Sequence, residues 1–242
     1  MNFYKLPDFS FWQDDPTTAE PINFEALRQK SRAVILRAGQ NTWKDKTFTT
    51  NYINAKAAGV LRGTYYFYDS RADPKRQAET WAKALGGDLG EMEHFADFED
   101  NYGGPWRGWQ HWYDFMENMK TMVPGIKLGV YTGYYYWREN TNYLTTGITN
   151  ASLNYFGQYP LWLAWYNPSP PFIPAPWDKW LLWQYTDDYP SDGWGAESHE
   201  IDMNYFNGSE ADFIARYGVV NSPNKPTLSA QFGINTVIYQ EK

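Results

Sequence analysis

The chain has 242 residues, a formal net charge of −7, no cysteine, and an aromatic content of 19% that includes 13 Trp and 20 Tyr. That length suffices for one large core and is typical of a single α/β barrel. The absence of cysteine excludes disulfides, thiol nucleophiles and thiolate metal sites. The acidic balance, with no Lys/Arg run, argues against a nucleic-acid partner, and no apolar run approaches the ~18 residues of a membrane span, so no membrane insertion is expected. The start, Met1-Asn2-Phe3-Tyr4-Lys5, lacks the apolar stretch of a secretory signal. This leaves either a trimmed signal or release by another route.

In chain order, residues 3–9 read as a first strand, 24–30 as a helix and 33–38 as a strongly apolar strand. Residues 48–58 fit a helix closed by Gly59, since glycine takes the left-handed conformation that ends helices. The aromatic, β-rich run 63–68 is the next strand. Asp73-Pro74 opens a helix running to Leu85, with proline in its first turn. A strand then carries His94-Phe95-Ala96 into Asp97-Phe98-Glu99. A helix over 106–122 stops at Pro124-Gly125, followed by a strand over 127–131 and a short helix over 133–140. Strands at 161–166 and 180–185 flank a proline-rich link with no room for a full helix. A short strand over 200–204 precedes a helix that Ser209 caps and Tyr217 ends.

Strand and helix alternate often enough to predict a parallel sheet, and about eight strands predict its closure. The expected fold is an irregular TIM-like (β/α) barrel over residues 1–218, its last strands lacking full crossover helices. An open doubly wound sheet is the alternative, weakened because no glycine-rich phosphate loop follows the first strand. Residues 219–242 read as a linker and a short extension with the alternation of a small hairpin at Leu228, Ala230 and Phe232.

In a parallel barrel, functional side chains gather where strands end. Four acids fall there: Asp8, Asp97, Glu99 and Asp202. Residues i and i+2 of a strand share a face, so Asp97 and Glu99 stand side by side. Carboxyls that close compete for charge, and one is driven toward its protonated form. An acid beside an ionised carboxylate is what glycosidic cleavage needs. Closure would also make first and last strands neighbours, bringing Asp8 to Asp202. Any single aspartate more commonly caps a turn; four at predicted strand ends favour a shared site. Tyr65, Phe67, Trp165 and Tyr166 are candidate sugar platforms, although Tyr65 and Phe67 share a face that serves equally as barrel core. Gln184 is placed to hydrogen-bond a sugar hydroxyl or acetamido group. Arg37 either balances the acidic cluster or forms a structural ion pair. His94, His111 and His199 show no metal-ligand spacing, and no Gly-x-Ser-x-Gly elbow is present.

These segments resemble family 25 glycoside hydrolases, the lysozyme-type N-acetylmuramidases of bacteria and phages. The resemblance lies in Asp8-Phe9-Ser10-Phe11-Trp12-Gln13, Leu36-Arg37-Ala38-Gly39, Gly63-Thr64-Tyr65-Tyr66-Phe67, Asp97-Phe98-Glu99, Trp183-Gln184-Tyr185 and Ile201-Asp202-Met203-Asn204. It runs in order over residues 3–217. Tyr66 departs from the histidine that the family often shows, and Pro7 and Phe9 replace aliphatic residues around the first aspartate.

The resemblance implies cleavage of the β-1,4 bond between N-acetylmuramic acid and N-acetylglucosamine with net retention, no cofactor, and peptidoglycan glycan strands as partner. Glu99 would be the general acid and base. Asp97 would either attack the anomeric carbon or orient a substrate acetamido group that attacks instead. Asp8 and Asp202 would position Asp97 or hold the sugar. A chitinase-like hydrolase and a non-catalytic sugar-binding barrel are the alternatives. The expected setting is the bacterial cell wall, reached as a secreted autolysin or as a phage lysin released from the host cytoplasm.

Overall fold

The computed structural model describes residues 3–14, 18, 20–100, 103–142 and 146–218. The extension expected at 219–242 lies outside the described residues. The strands are β1 (Tyr4–Phe9), β2 (Ala33–Gln40), β3 (Trp43–Lys44), β4 (Leu61–Phe67), β5 (His94–Asp97), β6 (Leu128–Gly133), β7 (Leu161–Ala164), β8 (Leu182–Pro190) and β9 (Glu200–Phe206). The helices, labelled in chain order, are α1 (Phe24–Lys30), α2 (Phe48–Ala57), α3 (Pro74–Leu85), α4 (Trp109–Met122), α5 (Tyr134–Asn140), α6 (Asn150–Gly157) and α7 (Glu210–Tyr217).

The sheet runs β1-β9-β8-β7-β6-β5-β4-β2, and a further β1–β2 pairing closes it into an eight-stranded barrel with β3 hairpinned onto β2. Pairings from β1 through β2 and β4 to β8 are parallel, as the alternation predicts. The last strand is a correction: β9 runs antiparallel to both β8 and β1. A parallel neighbour needs a long crossover, whereas an antiparallel one needs only a loop. The short link over residues 191–199 therefore delivers β9 head-down. The β7–β8 connection also lacks a helix, as expected, while in the β6–β7 crossover α6 follows α5, the short helix expected over 133–140.

Local chemistry explains the helix ends. Asn23 caps α1 by accepting from the Ala26 amide, and Asp73 caps α3 by accepting from Arg76 with Pro74 in the first turn. Gly59 and Gly86 take the left-handed φ values of 72° and 58° that end α2 and α3. Ser209 and Asp212 close a reciprocal capping box on α7.

Side chains alternate between two cores, and burial on both faces is why β2 reads as one continuous apolar run. Leu6, Ile35, Phe95, Trp162 and Leu182 fill the barrel interior. Val34, Leu36, Tyr66, Phe98 and Trp81 belong to the layer between strands and helices. Phe95 occupies the interior because Gly129 faces it; a Cβ there would lie 2.5 Å from the Phe95 ring. Outside β7–β9, aromatic side chains including Trp180, Trp183 and Tyr205 form a third cluster.

At the floor of the barrel, Arg62 is buried, bonded to Asp88 and Glu91, and stacked 4.2 Å from the Tyr52 ring centre. Glu93 accepts from Arg216 and Tyr217 at 2.5 Å each and fastens α7 beneath the barrel. His94 is packed rather than ligating. Its ring lies between Thr64 Oγ1 and the Leu89 carbonyl, and burial holds it neutral by lowering its pKa to about 4. No helix among the described residues is long and apolar enough to cross a membrane.

Candidate active site

The strand tips bring the predicted acids together at one mouth. Asp8, Asp97, Glu99 and Asp202 line a single pocket of about 200 Å³, along with Tyr65, Tyr131, Trp162, Tyr166, Gln184 and Asp187. The i, i+2 argument holds: Asp97 ends β5, Glu99 lies just past it, and both face the pocket. Phe98 between them turns the other way and stacks on Trp112 with ring centres 4.7 Å apart. Asp8 and Asp202 are register partners across β1 and β9. Asp202, however, is the third residue of its strand and reaches the mouth from the strand's beginning, not its end. This follows from the reversed direction of β9.

Neutral amides and phenols tie the acids together. Asn204 Nδ2 donates to Asp8 Oδ2 at 2.7 Å, and Gln184 Nε2 donates to the same oxygen at 3.1 Å. Each amide is fixed in turn. Trp162 Nε1 donates to Asn204 Oδ1 at 2.6 Å, while the Tyr131 and Tyr166 hydroxyls donate to Gln184 Oε1 at 2.7 and 2.8 Å. Tyr131 also reaches Glu99 Oε2 at 3.1 Å. Its single proton serves two acceptors, and the longer contact falls to Glu99.

Asp8, Asp97, Glu99 and Asp202 are all pushed toward protonation. Burial is the main cause at each, because a charged carboxyl is costly away from water. Asp8 rises to about 6 even though its amide partners favour the charged form. Asp202 rises to about 9 through burial and the neighbouring charges of Asp8 and Asp187. Asp202 is therefore the partner that keeps a proton at neutral pH. Glu99 rises to about 7, with the Tyr131 hydrogen bond opposing the rise. Asp97, 1% exposed, is driven well above the carboxylate range by burial, Glu99 and Asp8, and Arg37 pulls it back. Asp97 Oδ1 is buried and makes no hydrogen bond.

Three predicted binding residues stand off the acidic pocket. Arg37 sits beside Tyr65 in register and donates from Nε to Asp45 Oδ2 at 2.9 Å. It is thus a buried ion pair, and its charge also acts on Asp97. Phe67 is not among the residues lining the pocket. Trp165 lines an adjoining aromatic hollow with Tyr134, Tyr135 and Tyr166. Sequence reasoning missed Tyr131, Trp162 and Asp187. Tyr131 is the β6 register partner of Asp97 and ends the apolar run of its strand, so the strand-end rule that found Asp97 also reaches it.

A closed α/β barrel with a carboxyl pair at the tip of one strand, proton-holding and flanked by aromatic walls, defines a glycoside hydrolase. The chain belongs to glycosyl hydrolases family 25, whose sequence profile matches residues 8–194. It is 29% identical over 221 residues to Lysozyme M1 of Streptomyces globisporus, an alignment covering 86% of this chain and 69% of that protein. It is 23% identical to the uncharacterized protein YegX of Escherichia coli O157:H7, spanning only 57% of that protein's length. Among solved structures, it resembles a muramidase from Acremonium alcalophilum at 27% identity and a TM-score of 0.67, covering 89% of this chain and 99% of that one. The fold is also that of a bacterial lysozyme from Streptomyces coelicolor, with a TM-score of 0.69 at 24% identity over 90% of this chain and 98% of that one.

Proposed function

We propose that this chain hydrolyses the β-1,4 bond between N-acetylmuramic acid and N-acetylglucosamine in peptidoglycan, with net retention. The carrying observation is the Asp97–Glu99 pair, held at one barrel mouth where burial makes both carboxyls retain protons. Similarity to a lysozyme and a muramidase supports the choice of glycan.

Glu99 is the general acid. It protonates the leaving glycosidic oxygen and then takes a proton from the attacking water, a role worth ~10²–10⁴ in rate. Burial pushes both carboxyls toward protonation, whereas the acid role needs the proton on Glu99 and the charge on Asp97. A substrate acetamido N–H set against the unpartnered Oδ1 of Asp97 resolves this. Such a hydrogen bond favours the charged form of Asp97 and leaves the proton on Glu99. It also orients the acetamido oxygen toward the anomeric carbon, so the substrate supplies the nucleophile and Asp97 stabilises the charge that develops. Asp8, with the protonated Asp202 and the amides of Asn204 and Gln184, fixes the walls of the pocket. Tyr166 and Trp165 provide the sugar platform on the β7 side.

The test is turbidity loss of purified cell walls, comparing wild type with Glu99→Gln, and mass spectrometry of the fragments. Lysis by the wild type alone, with muramic acid at the new reducing ends, supports the reading. Equal lysis by the variant, or N-acetylglucosamine at the reducing ends, overturns it.

A further inference from the structure

We infer a second aromatic platform across the barrel mouth from Trp165, built by Phe11, Trp12 and Trp43, which holds a distal sugar of the same glycan strand. This inference rests on the glycan reading above and extends it. Phe11 and Trp12 follow β1 directly, and Trp43 lies on β3, which hairpins from the end of β2. All three therefore rise from the end of the barrel that carries the acids. In the strand order, β1 and β2 lie opposite β6 and β7, from which Tyr135 and Trp165 project. The acidic pocket thus sits between two aromatic walls.

The Phe11 and Trp12 rings lie 4.5 Å apart, and Phe11 is 6.4 Å from Trp43. Trp12 is nevertheless 70% exposed and Trp43 41%. This exposure is held in place by the surrounding loop. The Phe11 amide donates to Asp45 Oδ2 at 3.1 Å, the Asp14 amide to the Phe11 carbonyl, and Asn51 Nδ2 to Asp14 Oδ2 at 2.8 Å. A pinned turn that keeps a large indole in water forgoes the burial such a ring would otherwise gain. Beneath the rings, the Arg37 guanidinium lies 4.7 Å from the Phe11 centre and 5.4 Å from that of Trp43. Arg37 is also the register neighbour of Tyr65, which lines the acidic pocket. The platform is therefore continuous with the active site through two adjacent side chains. Its occupant is a ring-faced group that continues from the bond being cut, and a β-linked hexosamine chain has that chemistry. The opposite wall matches it, with Tyr135 66% and Phe172 67% exposed.

Two walls with the cut between them require a strand that extends on both sides of the scissile bond. The experiment uses peptide-free peptidoglycan glycan strands sorted by length. Cleavage is measured for wild type, Trp12→Ala and Trp43→Ala, with Ile53→Ala on the outer face of α2 as an exposed control. Binding of the same strands is measured on Glu99→Gln with and without Trp12→Ala. Loss of one ring contact raises KM or the dissociation constant by roughly three- to tenfold on long strands. The penalty shrinks as the strands shorten, kcat is held, and Ile53→Ala is silent. A length-independent loss, or none, overturns the inference. If wild type cleaves no strand, the hydrolase reading fails, and the binding series alone decides the platform. Thermal melting of each variant separates a folding defect, which would affect all lengths alike.

Discussion

Asp8 and Asp202 face each other across antiparallel strands β1 and β9 and share a hydrogen bond in which Asp202 holds the proton. Their folded-state pKa values, about 6 and about 9, both exceed those of an unfolded chain. Between the unfolded and folded values, the native state binds more protons than the unfolded one, so stability falls as pH rises. Protein stability should accordingly drop from about pH 4 toward pH 9 through these groups. Asp202→Asn should flatten that slope and raise the melting temperature most at the alkaline end. Melting curves followed by circular dichroism across pH decide it; parallel profiles for the two proteins would refute the assignment.

Glu99 must be protonated to act as the acid, and its pKa stands at about 7. Activity should fall as pH rises through that value. Tyr131 opposes the rise by donating to Glu99. Tyr131→Phe removes that donor, so the alkaline limb of the pH–rate profile should move to higher pH while kcat falls. A limb that stays still, or moves to lower pH, would show that Tyr131 does not stabilise the ionised form.

Arg37 acts on the other carboxyl. It lowers the pKa of Asp97, whereas the causes of the Glu99 shift do not include it. Arg37→Gln should therefore move the acid limb to higher pH, because Asp97 ionises later, and leave the alkaline limb in place. The profile should be taken on the folded fraction, since Asp45 loses its buried partner. Movement of both limbs together would argue for a general loss of structure.

Arg62 tests the floor independently of the mouth. Its side chain is 1% exposed between Asp88 and Glu91. Removing one partner of a buried ion pair typically costs about 3–5 kcal/mol. Arg62→Met should lower the unfolding free energy measured in urea by up to that amount, discounted because Asp88 and Glu91 retain some access to water. Turnover per folded molecule should be unchanged.

The strands and most of the site were legible because side-chain alternation is a property of the backbone. Asp97 and Glu99 share a face at any strand tip, and apolar runs such as 33–38 have few other uses. The direction of β9 was not legible, since the pattern of a short strand is the same read either way. Only the nine-residue link before it, too short for a crossover, carried that information. Arg37 shows a different gap. Its partner Asp45 lies close in sequence, but a buried pair and a site cation look identical until the packing is known. Asp187 sits in an exposed polar run after Gln184, and nothing local marks it as reaching the pocket.

The reversed last strand has a consequence for how this domain can be joined to others. Because β9 descends, α7 is fastened to Glu93 at the floor, and the backbone passes Gly218 on the side remote from the carboxyls. Any partner domain, affinity tag or surface tether attached there starts from the back of the catalytic unit. That starting point lies a barrel's height away from the face that cuts.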